Sequence, residues 1–368
     1  MPGLTNLGNT CYMNAVIQCI YHIEDLINVL SKKSNINYIK SKSINNSIFL
    51  QLNNFFQKYK METNSIAPTP LRNSIMIKNS MFRNFLQHDS HELLLYLYDE
   101  ISTEVSRSVN MNIKCNQNIL EYKSVYKKLN ESKHNKQLHC RYKKELNILK
   151  KKYIKDIYII KSLHSWKTFF EKNYSDLIEL IYGQLLSSIS CDECYYISIK
   201  FEPFTILSLE IPNKNNITLT DCVSNFIKKE TLSLGEQWKC PQCEKVTKSS
   251  KQINYWNLPK ILTIHLKRFT VVSQTNIIKN DKSIKIDINK LDLNNYISNY
   301  NYENTDSKIY ECVGIICHTG SYVGGHYFSF CKKNTDWYLC NDSTYKKINL
   351  KLDIIEQYGY IFFYRRIE

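Results

Sequence analysis

Two C-x2-C pairs, Cys191-Asp192-Glu193-Cys194 and Cys240-Pro241-Gln242-Cys243, constrain this chain more than any other feature. Each pair can present two thiolates from one tight turn, and together they supply four ligands for a tetrahedral zinc. The separation between the pairs exceeds that of a compact finger, so the knuckles are expected on the tips of separate hairpins that the metal clamps together. Ile197, Ile199 and Phe201 alternate after the first pair, and Lys245, Thr247 and Lys251 follow the second, as in strands leaving a metal knuckle. Because every ligand is a cysteine, no coordination position stays open for a substrate, and one structural Zn2+ with no organic cofactor is expected.

The chain holds 13 cysteines in 368 residues, an odd number that leaves at least one unpaired in any scheme of internal disulfides. No apolar run reaches bilayer-spanning length, and the N-terminus lacks the basic-then-apolar pattern of a signal peptide. A soluble, cytoplasmic and/or nuclear protein with no membrane partner is expected, whose cysteines serve metal ligation, catalysis and burial. The 43% hydrophobic content suits a substantial core, with room for two lobes. A formal charge of +15 raises the question of nucleic acid, but the excess is mostly Lys scattered among Asn and Ile and reads as compositional bias.

In chain order, Gly3-Leu4-Thr5-Asn6-Leu7-Gly8-Asn9-Thr10-Cys11-Tyr12-Met13-Asn14 sets a cysteine between a Gly/Asn/Thr turn and a helical run, in which Tyr12, Ala15, Val16, Cys19, Ile20 and Ile23 recur at three and four. Cys11 thus falls at a helix N-terminus, where free backbone N–H groups and the helix dipole favour the thiolate. Asn6 could donate its side-chain amide to a developing oxyanion at the same site. A second helical pattern involves Phe49, Leu50, Asn53, Phe56 and Gln57. In the stretch from Phe85 to Ile101, Leu93, Leu97 and Ile101 form an apolar stripe with Leu94 and Tyr98 beside it. Asp89 and Glu92 have capping-box spacing there, Asp89 capping and Glu92 reaching back. From about residue 105 to 163 the chain is Lys-rich without Gly or Pro, with a helical rhythm in Leu146, Leu149, Tyr153 and Ile157, and reads as an inserted set of exposed helices. Beyond Pro259 strands dominate, Ile261 to Leu266 having the make-up of a central one.

The segment from His318 through Gly324-Gly325-His326-Tyr327 brings an imidazole into an open glycine setting, and Asn341-Asp342 follows at the end of the next strand. A cysteine at a helix start, a downstream histidine and an Asn or Asp after it have the chain order of the papain-like triad. Cys11 would be the nucleophile and His326 the base, with Asn341 or Asp342 holding the imidazole in the required tautomer. His88, His91, His265 and His318 are rival bases without that setting.

Together these stretches resemble the ubiquitin-specific proteases, cysteine deubiquitinases. The likeness rests on the cysteine box from Gly3 to Asn14, the second box Gln87-His88-Asp89-Ser90-His91-Glu92, both knuckles, Leu258 to Phe269, the histidine box Gly324 to Tyr327 and the closing Ile361 to Tyr364. It implies an α+β, papain-like right hand across 1–368, with a helical thumb (1–104), a Lys-rich insertion (105–165), zinc-ribbon fingers (166–258) and a β-rich palm (259–368). It further implies that Cys11, His326 and Asn341 form the triad with Asn6 as oxyanion donor, Asp342 being a second residue for the orienting task. Asp89 and Glu92 would receive the basic tail of ubiquitin. Phe269, His318 and Tyr327 would line its groove, and Gly324 and Gly325 would narrow it to a Gly-Gly tail. Leu93 stands where the family commonly has Phe, and Ala15 where Ser is frequent. The Lys-rich insertion has no assigned counterpart. The chain begins almost at the cysteine box, so no N-terminal targeting or adaptor domain is expected.

The expectation is a monomeric thiol isopeptidase that acts on ubiquitin conjugates or chains. Alternatives are a protease for another ubiquitin-like modifier, a catalytically silent ubiquitin-binding scaffold, and a zinc-ribbon nucleic-acid binder that would leave the cysteine and histidine boxes unexplained.

Overall fold

A computed structural model describes residues 1–368 except 40, 85, 233–237, 274–275, 303–305, 322–323 and 368. Phe85, Tyr322 and Val323 of the stretches quoted above therefore lie outside the described residues.

The thumb is built on α1 (Cys11–His22), whose residues from Cys11 to Ile20 are all buried. The expected apolar positions are inside, but so are Asn14 and Gln18, because the helix is enclosed on every side rather than lying on a surface. Around it pack α2 (Ile48–Met61) and α3 (Ser90–Glu104). On α2 the buried face is Ile48, Phe49, Leu52, Phe55, Phe56 and Tyr59. Gln57, expected on that face, is exposed, and Asn53 turns aside to donate to the Leu30 carbonyl. On α3 the stripe of Leu93, Leu94, Leu97, Tyr98 and Ile101 is buried as its spacing requires.

The Lys-rich segment folds as α4 (Gln117–Glu131) and α5 (Lys136–Lys152), followed by α6 (Ile154–Phe170). Ile119, Val125, Leu146, Leu149, Tyr153 and Ile157 close a small core of their own. The helix α6 runs past residue 165, and its Tyr158 and Ile159 pack on Leu186, Phe201 and Trp256 of the fingers.

The finger sheet comprises β1 (Gly183–Cys191), β2 (Ile197–Phe204) and, after β3 (Ile206–Leu209), the long β4 (Ser249–Asn257). Its order is β2-β1-β4 with a short edge strand at Glu230–Thr231, all antiparallel. The palm adds β5 (Ile261–Leu266), the hairpin β6 (Phe269–Ser273) and β7 (Asn276–Lys279), then β8 (Ile309–Gly320), β9 (Gly325–Lys333), β10 (Asp336–Asn341), β11 (Thr344–Ile348) and β12 (Gly359–Arg366). Among the described residues its main sheet runs β11-β10-β9-β8-β12-β5-β3. Every residue of β5 is buried, in keeping with its central position between β12 and β3. The helix α1 lies against β8, β9 and β10, with Met13, Val16 and Ile20 in one core with Val313, Ile316, Tyr327 and Cys331. That contact sets the N-terminus of α1 beside the start of β9.

Candidate active site

The loop before α1 has the left-handed residues Gly8 and Asn9, which turn the chain sharply into the helix. Asn6 organises this turn: its Oδ1 accepts from the Gly8 and Thr10 backbone N–H groups and the Thr10 hydroxyl. Gly3 lets the segment approach the β10–β11 turn, since a Cβ there would lie 2.2 Å from the Ser343 carbonyl. The Leu4 N–H donates to the Asp342 carbonyl at 2.7 Å.

Cys11 is only 2% exposed. Burial pushes its thiol above the ordinary value, the Tyr327 backbone N–H pulls it down, the Asp342 carboxylate raises it again, and the N–H groups of Tyr12 and Cys11 lower it. The helix-start donors lower it as the sequence leads us to expect, but desolvation outweighs them.

His326 Nε2 donates to Asn341 Oδ1 at 2.7 Å. Since an amide oxygen only accepts, the proton sits on Nε2, and Nδ1 is left as the basic nitrogen of the neutral ring. Asp342 does not join this pair. Its Oδ2 accepts from Asn6 Nδ2 at 3.0 Å and its Oδ1 from Asn14 Nδ2 at 2.7 Å. The expectation that Asp342 shares the orientation of His326 is thus corrected: Asp342 holds Asn6 instead. Asn14 also donates to the Leu4 carbonyl, a role that the sequence does not single out. Its position opposite the apolar stripe of α1 gives no sign of burial in the sequence.

Asp89 caps α3 by accepting from the His91 N–H at 2.7 Å, and its other oxygen accepts from the Tyr360 hydroxyl at 2.6 Å. No capping box forms, because Glu92 stays exposed instead of reaching back. Desolvation by the surrounding protein and the Asp89 carboxylate push its carboxyl group up. His318 and Tyr327 are 3% and 5% exposed. Their buried rings pack together with centroids 4.5 Å apart, and Phe269 packs 5.3 Å from His318. Desolvation drops the His318 imidazole to about 4. A Cβ on Gly325 would meet His318 Nε2 at 2.2 Å, whereas a Cβ on Gly324 would meet nothing within 4 Å. Only Gly325 is sterically compelled.

The rival histidines are engaged elsewhere. His88 Nε2 bonds Asn84 Oδ1 at 2.7 Å and its ring packs on Tyr12. His91 and His265 stack at 3.9 Å, bridged by the Ser208 hydroxyl.

At the fingertips Cys191, Cys194, Cys240 and Cys243 bring their Sγ atoms within 4.8 Å of one another. Both knuckles close alike. The Tyr195 and Glu244 N–H groups donate to the first cysteine's carbonyl, and both residues have positive φ. The Cys194–Cys240 and Cys191–Cys243 sulfurs are 3.6 and 3.9 Å apart. A tetrahedron with Zn–S bonds of about 2.3 Å has S···S edges of about 3.8 Å, so the residues present fit this ion.

A thumb and a β-rich palm meeting at a buried cysteine, with four-cysteine fingers beyond, make this an α+β papain-like cysteine protease fold of right-hand form. The chain belongs to the ubiquitin carboxyl-terminal hydrolase family, whose model matches residues 2–364. It is 31% identical to ubiquitin carboxyl-terminal hydrolase 4 of Saccharomyces cerevisiae over 392 residues, covering 99% of this chain and 39% of that protein. With ubiquitin carboxyl-terminal hydrolase 2 of Bos taurus the identity is 27% over 354 residues, covering 94% of this chain and 52% of that protein. The chain thus spans only part of the length of these curated relatives. Among solved structures, a SAGA DUB module containing Ubp8 bound to monoubiquitin superposes with a TM-score of 0.70 at 23% identity, over 99% of this chain and 69% of that one. Among the described residues, no helix is long and apolar enough to cross a membrane.

Proposed function

We propose that this chain is a thiol-dependent deubiquitinase that hydrolyses the bond after the C-terminal Gly-Gly of ubiquitin, on conjugated proteins or in chains. The observation that carries the reading is the 2.7 Å His326–Asn341 bond, which frees Nδ1 as a base on the strand whose Tyr327 N–H contacts Cys11.

Nδ1 of His326 takes the Cys11 proton as Sγ attacks the glycine carbonyl carbon. The resulting oxyanion is received by Asn6 Nδ2 and the Cys11 N–H, donors fixed before the charge develops. Collapse expels the lysine amine, which takes the proton back from His326. Water, deprotonated by the same nitrogen, then hydrolyses the thioester and restores the thiol. Glu92 and the remaining lone pairs of Asp89 would attract the basic residues before the Gly-Gly, and the lack of a side chain at Gly325 fits a tail without one.

Cys191, Cys194, Cys240 and Cys243 would hold one structural Zn2+, which would fix the fingers that grip ubiquitin and supplies no chemistry to the cleavage. All the proposed catalytic groups come from one chain, in accord with action as a monomer.

The test is turnover of a fluorogenic ubiquitin C-terminal amide by the whole chain, with Cys11→Ala in parallel and a second ubiquitin-like conjugate as competitor. Cleavage lost in Cys11→Ala supports the reading. Preference for the competitor points to another modifier, and ubiquitin binding without turnover to a scaffold.

A further inference from the structure

We propose that Gln87 is a positioning residue for the reaction, clamping the start of β9 to the thumb and thereby setting His326 against Cys11. The inference rests on the deubiquitinase reading of the same cleft.

Gln87 Nε2 donates to the Gly325 carbonyl at 2.7 Å, and Gln87 Oε1 accepts from the Gly325 N–H at 2.9 Å. One side-chain amide therefore satisfies both main-chain groups of one residue, as a neighbouring strand would. The sheet register explains why those groups are available. Gly320 pairs with Gly325, Thr319 with His326 and His318 with Tyr327. Main-chain groups along a strand alternate in direction, so Gly325 and Tyr327 turn theirs the same way. For Tyr327 that direction is toward Cys11.

Gly325 is the first residue of β9, and the pairing with β8 ends there. A strand end with one open edge is where local opening is cheapest. Here the next residue is His326, whose distance from a nucleophile on another lobe must be held closely for proton transfer. Gln87 can restrain it because its own backbone is anchored: two residues on, Asp89 caps α3 and accepts from Tyr360. From the palm side, Lys279 Nζ donates to the His318 and Gly320 carbonyls at 3.0 Å each. The turn before His326 is thus tied to the β6–β7 hairpin by Lys279 and to the thumb by Gln87. Glutamine meets the requirement because a carboxylate has no N–H for the Gly325 carbonyl, and asparagine is one carbon shorter.

The experiment compares Gln87→Met, which keeps the length and loses both bonds, with Gln87→Glu, which keeps an acceptor and loses the donor. His326→Ala serves as reference. Two quantities are read on the whole chain: kcat and KM for the ubiquitin amide, and the pH profile of Cys11 alkylation by iodoacetamide, followed on the Cys11 peptide by mass spectrometry. The expected result is a roughly tenfold or larger fall in kcat with KM changed by less than about threefold. The alkylation profile of Gln87→Met should shift toward that of His326→Ala, with Gln87→Glu between it and the native chain. Native kcat and profile in Gln87→Met would overturn the proposal, as would a gain in kcat/KM, which would make Gln87 an obstruction, or a loss in KM alone, which would make it a substrate contact. A Gln87→Met protein that fails to fold leaves Gln87→Glu to decide by the same readouts. Alkylation needs no ubiquitin, so a native chain that leaves the ubiquitin amide intact overturns the deubiquitinase reading while the profile still tests the clamp.

Discussion

Replacing Gly325 with alanine separates the steric demand at the cleft from the general tolerance of a loop. The added Cβ would sit 2.2 Å from His318 Nε2 and 2.6 Å from the Thr319 carbonyl oxygen, against ordinary contact from 3.4 Å. The imidazole has little freedom to retreat, being 3% exposed and packed between Phe269 and Tyr327. Strand β9 must therefore move by about 1 Å. Overpacking of this kind costs about 1–3 kcal/mol. A displacement of that size beside His326 costs on the order of 100-fold in turnover. The neighbouring Gly324→Ala meets nothing within 4 Å and should stay within about 0.5 kcal/mol of the native protein. Thermal melting and kcat on the ubiquitin amide check both variants. Gly325→Ala should lose a few degrees and most of its turnover, while Gly324→Ala keeps both. A fully active Gly325→Ala enzyme, or equal losses in the two variants, would refute the reasoning.

Asp342→Ala should lower kcat by at least about tenfold, because Asn6 loses the carboxylate that holds its amide. The same change removes a charge that raises the Cys11 thiol, so Cys11 alkylation should extend to lower pH, and an unshifted profile would count against the assignment. Elemental analysis should find one zinc per chain, lost in the Cys191→Ser, Cys243→Ser double variant together with cooperative melting of the fingers; structural zinc binding is worth about 10–16 kcal/mol in small domains. His318 should make the fold acid-sensitive. Its imidazole falls from 6.5 to about 4 on folding, so its stabilisation is complete above pH 6.5 and is lost as pH drops toward 4, by about 3 kcal/mol in all. Urea titrations across that range should show the slope, and His318→Phe should flatten it.

Local periodicity made much of the fold legible. The knuckles announced the fingers because a metal shell demands two paired thiolates per turn, and the Leu146, Leu149, Tyr153, Ile157 rhythm marked the insertion's own core although the chain breaks between helices near Tyr153. Periodicity said less where burial departs from one face. Along α1 the whole circumference is inside, so buried Asn14 and Gln18 could not be told from exposed ones. On α2 the buried face takes in Phe55 and Tyr59 and leaves Gln57 exposed.

The choice between Asn341 and Asp342 shows what a strand reading could have added. Asn341 ends β10, pairing with Thr344, and Asp342 follows in the turn with φ of 45°. Consecutive residues on a strand point to opposite faces, and the left-handed turn residue sends the next side chain further from its neighbour. Two adjacent polar groups at such a place cannot both address one imidazole. Period two therefore required a division of labour, one residue for His326 and the other for something across the strand. What it could not supply was the identity of that second partner. Asn6 lies 336 positions away and reaches Asp342 only because Gly3 lets the N-terminal segment lie against the turn. His326 and Asn6, the proposed base and oxyanion donor, are thus held from one β-turn by adjacent residues, so a change in that turn's length should disturb both together.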